Sequence, residues 1–145
     1  MNDNDKIRIT EEISSNLFQM FQRHENIADM TEDVDFIIQC AFDKKRSVWE
    51  NCSGHLYVLA LISSNIREHI LDLMNKGSLH QKFIIICSTT FRPLSLIGDM
   101  EYDIETYIHF LKEIVKGAIA CKSLKIKSMG IQPVSYTHLR AHETS

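Results

Sequence analysis

The sequence lacks the long apolar run that a membrane-spanning helix needs. No run of roughly 18 or more consecutive apolar residues occurs in the chain of 145 residues, whereas a bilayer-crossing helix takes about 20. The first residues, Met1 to Lys6, are acidic and polar. They lack the basic and then apolar order of a secretory signal peptide. We therefore expect a soluble cytoplasmic protein without a membrane segment.

Closely spaced cysteines are also missing. The four cysteines lie far apart, at Cys40, Cys52, Cys87 and Cys121, whereas structural zinc sites use pairs such as Cys-x-x-Cys. Isolated cysteines in a cytoplasmic chain are most often small buried hydrophobic residues. We therefore expect all four to pack in the core, and we expect no bound metal and no cofactor.

An excess of positive charge is absent, and this argues against a nucleic-acid partner. The formal net charge is −3, and the sequence shows no helix-turn-helix, zinc-finger or RNA-recognition pattern. Lysines do cluster toward the C-terminus, at Lys112, Lys116, Lys122, Lys125 and Lys127. We interpret them as solvent-facing residues opposite an apolar stripe.

Residues 133–145 resemble a translated sequencing adapter. One reading frame of a transposase-based library adapter encodes an eleven-residue string that matches Val134 to Thr144 without a gap, and Pro133 fits the bases before it. Processing and cloning scars are left out of fold reasoning. We expect a single globular domain over residues 1–132, truncated at its C-terminus, followed by a non-native and disordered segment. One domain is then a lower bound for the native protein.

Helical periodicity begins early in the chain. Thr10 is predicted as the N-cap of a first helix, because two glutamates follow it and apolar residues then recur with helical spacing. Thr31 repeats this start signal before residues 34–42. We predict a second helix there, with a strand as the alternative because Phe36, Ile37 and Ile38 also favour strands.

Two longer helices are predicted further along. The third runs from Gly54 to a stop at Gly77, and its segment 56–62 is apolar on every side, which indicates burial in the domain centre or in a subunit contact. The fourth follows the acidic residues 99–105. Its apolar stripe extends from Ile104 to Ile119 and is the most regular in the chain.

One strand is predicted, over Lys82–Phe91, because this run is short, β-branched and almost continuously apolar. A strand needs a partner. The candidates are the alternating segments Lys6–Ile9 and Leu124–Lys127, or the same strand of a second subunit. The predicted fold is therefore α+β and mainly α, with about four amphipathic helices and a sheet of two or three strands.

The candidate ligand site is a turn that precedes the third helix. The residues that would form it are Lys44, Lys45, Arg46, Ser53, Gly54 and His55. Backbone N–H groups at a helix start attract anions, and the basic residues upstream would close on a phosphate. No phosphate-binding motif is present. The expectation is thus a small anionic or phosphorylated ligand held by general helix electrostatics.

Three functional hypotheses follow. The leading one is a small non-enzymatic interaction, regulatory or accessory protein with a protein partner or self-association, because catalytic motifs are absent and an unpaired strand and an all-round apolar helix both favour association. The alternative is the anion binder. The third is a metal or thiol enzyme that uses Cys52 and His55, although nothing in the sequence indicates an oxyanion hole.

Overall fold

The described residues are entirely without β-strands, so the expected α+β fold is wrong. The computed structural model describes residues 1–90 and 104–131. The segment interpreted as adapter, 133–145, lies outside them. The described residues contain seven labelled helices, which are α1 (Asp3–Gln22), α2 (Thr31–Ala41), α3 (Arg46–Cys52), α4 (His55–Ile62), α5 (Ser64–Lys76), α6 (Leu79–Thr89) and α7 (Ile104–Ile119). Residues 124–131 are helical as well.

The run predicted as a strand over Lys82–Phe91 lies instead in α6 as far as Thr89, Thr90 is the C-cap of that helix, and Phe91 lies outside the described residues. A capping box starts the helix, because the Ser78 hydroxyl accepts from the backbone N–H of Gln81 and the Gln81 side chain accepts from Ser78. The isoleucines Ile84, Ile85 and Ile86 are all buried. An apolar run that is covered on every side carries no periodicity, so the sequence could not separate a buried helix from a buried strand.

The far end of α6 shows how polar β-branched residues are buried in a helix. The hydroxyls of Ser88, Thr89 and Thr90 donate to carbonyl oxygens one turn earlier, at 2.8, 2.6 and 2.7 Å. Each hydroxyl thus finds its acceptor inside the helix, which removes the cost of burying it unpaired.

Both segments proposed as strand partners are also helical. Lys6–Ile9 lies inside α1, which begins near the N-terminus because the Asn2 side chain accepts from the backbone N–H of Asp5 at 2.8 Å. Thr10 is therefore an interior residue and not an N-cap. Its hydroxyl donates to the Ile7 carbonyl at 2.8 Å. Leu124–Lys127 begins the helical residues 124–131.

Two of the predicted helices are confirmed and a third is divided. Residues 34–42 lie almost wholly in α2, and the stripe from Ile104 to Ile119 is α7. The third predicted helix breaks at Ser63, whose backbone is extended. The Ser63 hydroxyl accepts from the Ile66 N–H at 3.3 Å and starts α5. That helix ends at Lys76, directly before Gly77, so the predicted stop at Gly77 is confirmed.

The chain divides into two compact units, Met1–Arg67 and Glu68–Ser145. In the first unit, α1 packs against α2, α3 and α4. Leu17, Ile37 and Leu59 form the centre of its core, one residue from each of three helices. A second buried cluster contains Cys40, Val48 and Cys52. The apolar helix α4 is largely buried, which confirms the expected burial of residues 56–62.

In the second unit, α6 packs against α7. The rings of Tyr107 and Phe110 pack at a centroid distance of 5.6 Å, and both residues are buried. The 124–131 helix is attached through buried Ile126 and through Lys125, whose ammonium lies 4.5 Å from the centre of the Phe83 ring. None of the helices in the described residues is both long and apolar enough to cross a bilayer.

The end of α1 stores backbone strain at His24. This residue has φ 58°, its N–H donates to the Phe21 carbonyl, and the Glu25 N–H donates to the Met20 carbonyl. These two bonds are those of a Schellman motif, in which the left-handed residue is usually glycine. The Cβ atom of histidine is sterically strained in this conformation, whereas glycine has no Cβ atom and adopts it without strain.

We expect His24→Gly to raise the free energy of unfolding by about 0.5–1 kcal/mol, because relief of the left-handed strain exceeds the added entropy of the unfolded chain. Urea titration followed by circular dichroism measures the change. The matched control is His24→Ala, which removes the imidazole and keeps the strain. Equal stability of the Gly and Ala variants would contradict this account.

Candidate functional site

Two of the three basic residues of the predicted anion site, Lys45 and Arg46, are already paired with carboxylates. The Lys45 ammonium lies 3.4 Å from Asp3 Oδ2, and the Lys45 backbone N–H donates to Asp43 Oδ1 at 2.8 Å. Arg46 Nε donates to Glu50 Oε1 at 2.6 Å. Positive charge that is balanced in this way attracts an added anion less strongly.

The other half of the predicted site lies at the opposite end of α3. Arg46 begins this helix, and Ser53, Gly54 and His55 follow its end at Cys52. Seven residues of helix are about 10 Å long. Ser53 and Gly54 both have right-handed helical backbone, and α4 begins at Gly54 without a side-chain cap. The structure therefore does not bring the two halves together, and anion binding here stays a prediction.

Asp43 joins the basic loop to α1. Its carboxylate accepts from the Lys6 ammonium at 3.3 Å, and both side chains are about one-quarter exposed, at 20% for Asp43 and 30% for Lys6. The hydrogen bond from the Lys45 backbone N–H, helped by Lys6, holds the pKa of Asp43 below its usual range. The loop after α2 is thus fixed to α1 by two ion pairs, through Asp43 and Lys45.

The cysteine of the proposed thiol enzyme is buried rather than exposed. Cys52 has no solvent-accessible surface, and burial raises its pKa. Its sulfur lies 3.4 Å from the Thr10 hydroxyl. A reactive thiol is a partly exposed thiolate with a lowered pKa. The environment of Cys52 has the opposite character, and the thiol-enzyme hypothesis gains no support from it.

Three large apolar side chains lie exposed around the 124–131 helix. Leu124 is 79% exposed, Ile131 is 57% exposed, and Ile119, at the end of α7, is 46% exposed. We call these three residues the apolar face. Leu124 and Ile131 are seven residues apart and therefore lie on the same side of their helix.

Gly130 lets the 124–131 helix approach Ala118 and Ile119 of α7 closely. A Cβ atom at Gly130 would lie 2.8 Å from the Ala118 Cβ and 3.5 Å from both the backbone nitrogen and Cγ1 of Ile119. The two helices therefore touch at a point that only glycine fits. Helical spacing of Leu124 and Ile131 was the signal for this face, but the alternating residues 124–127 were interpreted as a strand.

Gly130→Ala is expected to lower the free energy of unfolding by about 1–3 kcal/mol, because the added methyl group overlaps the Ala118 methyl and forces the helices apart. Chemical denaturation measures the loss. Ser128→Ala is the control on the same helix, at an exposed position, and should stay within about 0.5 kcal/mol. A Gly130→Ala variant as stable as the parent would show that the close approach is not required.

One small cleft lies between α5 and α7 in the second unit. It has a volume of about 280 Å³ and is lined by Leu71, Asn75, Glu113, Lys116, Gly117 and Ala120. Lys116 and Glu113 are paired across 3.0 Å. Ligand pockets usually have volumes of about 300–1,000 Å³ and mostly apolar walls. The cleft is smaller and more polar, so it does not resemble a small-molecule pocket.

Within residues 1–90 and 104–131, no three His, Cys, Asp or Glu side chains are grouped closely enough to hold a metal ion.

Comparison of the chain with protein-family models, with curated proteins and with solved structures found no match. The geometry of the chain itself is therefore the basis for a functional proposal.

Proposed function

We propose that this protein is a helical interaction module that binds an acidic, partly apolar segment of another protein through the apolar face. The observation that carries the proposal is the exposure of Ile119, Leu124 and Ile131 on two helices held in close contact by Gly130. Large apolar side chains that are grouped on a surface favour partner binding, because their burial in an interface is favourable.

The charge around the face supports an acidic partner. Residues 106–131 contain five lysines and a single carboxylate, Glu113. Lys122, between α7 and the 124–131 helix, is exposed, and Lys127 is half-buried on that helix. Complementary charge speeds association and selects among partners more than it adds affinity.

The apolar face differs from the two features on which the sequence based its prediction of association, namely an all-round apolar helix and an unpaired strand. The all-round apolar helix α4 is buried inside the first unit, so it provides no surface for association. The unpaired strand is the helix α6. The interaction hypothesis now depends on the apolar face alone, and a second copy of this chain becomes one outcome of its test.

The test uses designed helical peptides as probes. The first peptide has leucine on one face and glutamate elsewhere, the second replaces glutamate with lysine, and the third replaces leucine with serine. Fluorescence anisotropy with the full chain should detect binding of the first peptide. The affinity for the other two should be at least tenfold weaker, which is about 1.4 kcal/mol.

Two substitutions locate the binding surface. Leu124→Asp and Ile131→Asp should each weaken binding of the acidic peptide by about tenfold or more, because each places a buried negative charge in the contact. Leu79→Asp is the matched control, since Leu79 is also exposed, at 58%, but lies at the start of α6. Equal affinity of all three variants would refute the proposed surface.

Light scattering of the full chain addresses self-association. A monomer at micromolar concentration agrees with a separate partner. A dimer that Leu124→Asp dissociates and Leu79→Asp preserves would mean that the face binds a second copy, which contradicts the proposed acidic partner.

A further inference from the structure

One exposed serine lies between two residues of the apolar face. Ser128 is on the 124–131 helix, four residues after Leu124 and three before Ile131, and all three residues are exposed. Residues with this spacing lie on the same side of a helix. Ile126, which points away from that side, is buried. The serine hydroxyl is therefore in the middle of the surface that a bound partner would cover.

The Ser128 hydroxyl is accessible to a modifying enzyme. It donates an exposed hydrogen bond to the Leu124 carbonyl at 2.9 Å. Helices shorter than about 12 residues are marginal on their own in water, so the 124–131 helix depends on tertiary contacts such as the buried Ile126 and the Lys125 ammonium above the Phe83 ring. Local opening of so short a helix presents the serine in an extended backbone.

The sequence around Ser128 carries positive charge only. Lys127 directly precedes it, Lys125 lies three residues before it, and residues 114–132 contain no aspartate or glutamate. Protein kinases select their substrates partly by the charge pattern around the target hydroxyl. The pattern here fits a kinase whose substrate cleft is acidic.

We propose that Ser128 is a phosphorylation site for a serine/threonine kinase that selects basic sequences, and that the phosphate releases the acidic partner. This inference rests on the proposed function, because it assigns a regulation to the same surface. Phosphoserine carries about −1.5 to −2 charges at pH 7. The phosphate would face the carboxylates of the partner inside the contact, and like charges that face each other in an interface reduce affinity.

The transfer consumes one nucleoside triphosphate. The Ser128 oxygen attacks the γ-phosphorus, the bond from that phosphorus to the β–γ bridging oxygen breaks, and the nucleoside diphosphate leaves with the electron pair. The hydroxyl proton passes to a carboxylate of the kinase. The resulting ester has no proton to donate to the Leu124 carbonyl. Hydrolysis by a phosphatase restores the hydroxyl and releases inorganic phosphate.

Phosphate mapping of the full chain tests the site. The protein is incubated with magnesium ATP and a purified serine/threonine kinase that selects basic residues before its target, and in parallel with a kinase that selects acidic residues. Proteolysis and fragmentation of the phosphopeptide locate the phosphate. We expect it on Ser128 with the first kinase and not with the second. Ser128→Ala should lose this phosphate, and Ser123→Ala should keep it.

Fluorescence anisotropy with the acidic helical peptide tests the effect on binding. The protein phosphorylated on Ser128 should bind the peptide about tenfold or more weakly than the unmodified protein, and phosphatase treatment should restore the affinity. Ser128→Asp should also weaken binding. The matched control is Ser128→Asn, which has the same shape without the charge and should stay within about threefold of the parent.

A second control moves the charge along the helix. The Ser123 hydroxyl accepts from the Ile126 N–H at 3.4 Å, and aspartate is as good an acceptor at a helix start as serine. Ser123→Asp therefore adds a negative charge away from the line of Leu124, Ser128 and Ile131. It should weaken peptide binding less than Ser128→Asp does.

The possible failures are distinguishable. Absence of phosphate from Ser128 in the mapping overturns the site. A phosphorylated Ser128 with unchanged peptide affinity overturns the regulation and leaves the proposed function standing. If the unmodified parent does not bind the acidic peptide, the proposed function fails and the regulation fails with it, while the mapping still decides whether the kinase accepts Ser128.

Discussion

Leu17→Ala is expected to lower the free energy of unfolding by about 2–5 kcal/mol. The Leu17 side chain is fully buried, and it meets Ile37 of α2 and Leu59 of α4 at the centre of the first unit. Removal of its outer carbons loses their burial and leaves a cavity, since the surrounding helices relax only in part. A loss of this size is a large share of the total stability of an ordinary domain, which is about 5–15 kcal/mol.

The matched control is Leu79→Ala. It makes the same chemical change at a residue that is 58% exposed in α6, where little burial is lost. The control should change the free energy of unfolding by at most about 0.5 kcal/mol. Urea denaturation of the parent and both variants gives the comparison. Similar losses in the two variants would mean that Leu17 is not at the centre of a packed core.

The regular stripe of α7 shows where sequence reasoning works. Apolar residues recur with helical spacing from Ile104 to Ile119, so the helix and its bounds follow from the sequence. The same periodicity identified α2 over residues 34–42, where strand-favouring side chains offered a competing interpretation. A helix can be predicted from an amphipathic sequence, because apolar residues recur along its buried face and polar residues along its exposed face.

The error at α6 has the opposite cause. Ile84, Ile85 and Ile86 are buried on all sides, so no polar face reveals the period. Ser78 and Gln81, however, have the spacing of a capping box three residues apart. That local signal was present in the sequence and would have favoured a helix. The strand prediction relied on the β-branched residues of this run instead. The expected sheet followed from that strand.

The break at Ser63 illustrates a second limit. Apolar spacing continues across it, from Leu59 and Ile62 to Ile66, because residues on both sides pack in the same core cluster. Periodicity alone therefore predicts one long helix. The serine hydroxyl that accepts from the Ile66 N–H is the local cause of the new start, and serine has this capping preference in general.

The sequence could not show that basic residues of the predicted anion site are paired with carboxylates, because the paired residues are distant in the chain. Lys45 is paired with Asp3 across 42 residues of chain, and no local pattern indicates that pairing. The basic residues Lys44 to Arg46 therefore appeared available for a phosphate. The buried cluster of Cys40 and Cys52 has the same character, since only the packing of α2 against α3 places the two residues in one cluster.

Ile114→Ala is expected to lower the free energy of unfolding by about 2–5 kcal/mol, whereas Ile119→Ala should change it by at most about 0.5 kcal/mol. Both residues belong to the apolar stripe that the sequence predicts for α7. Ile114 is fully buried, and Ile119 is 46% exposed. The chemical change is identical and the helix is the same, so the difference measures burial alone. Chemical denaturation of the two variants provides it.

The variants Ile114→Ala and Ile119→Ala also distinguish a core residue from a residue that binds a partner. If Ile119 belongs to the apolar face that contacts a partner, Ile119→Ala should weaken binding of the acidic helical peptide while leaving the stability of the free protein almost unchanged. Ile114→Ala should do the reverse at temperatures where the variant stays folded. A large loss of stability in Ile119→Ala would place that side chain in the core and remove one of the three residues on which the proposed interaction depends.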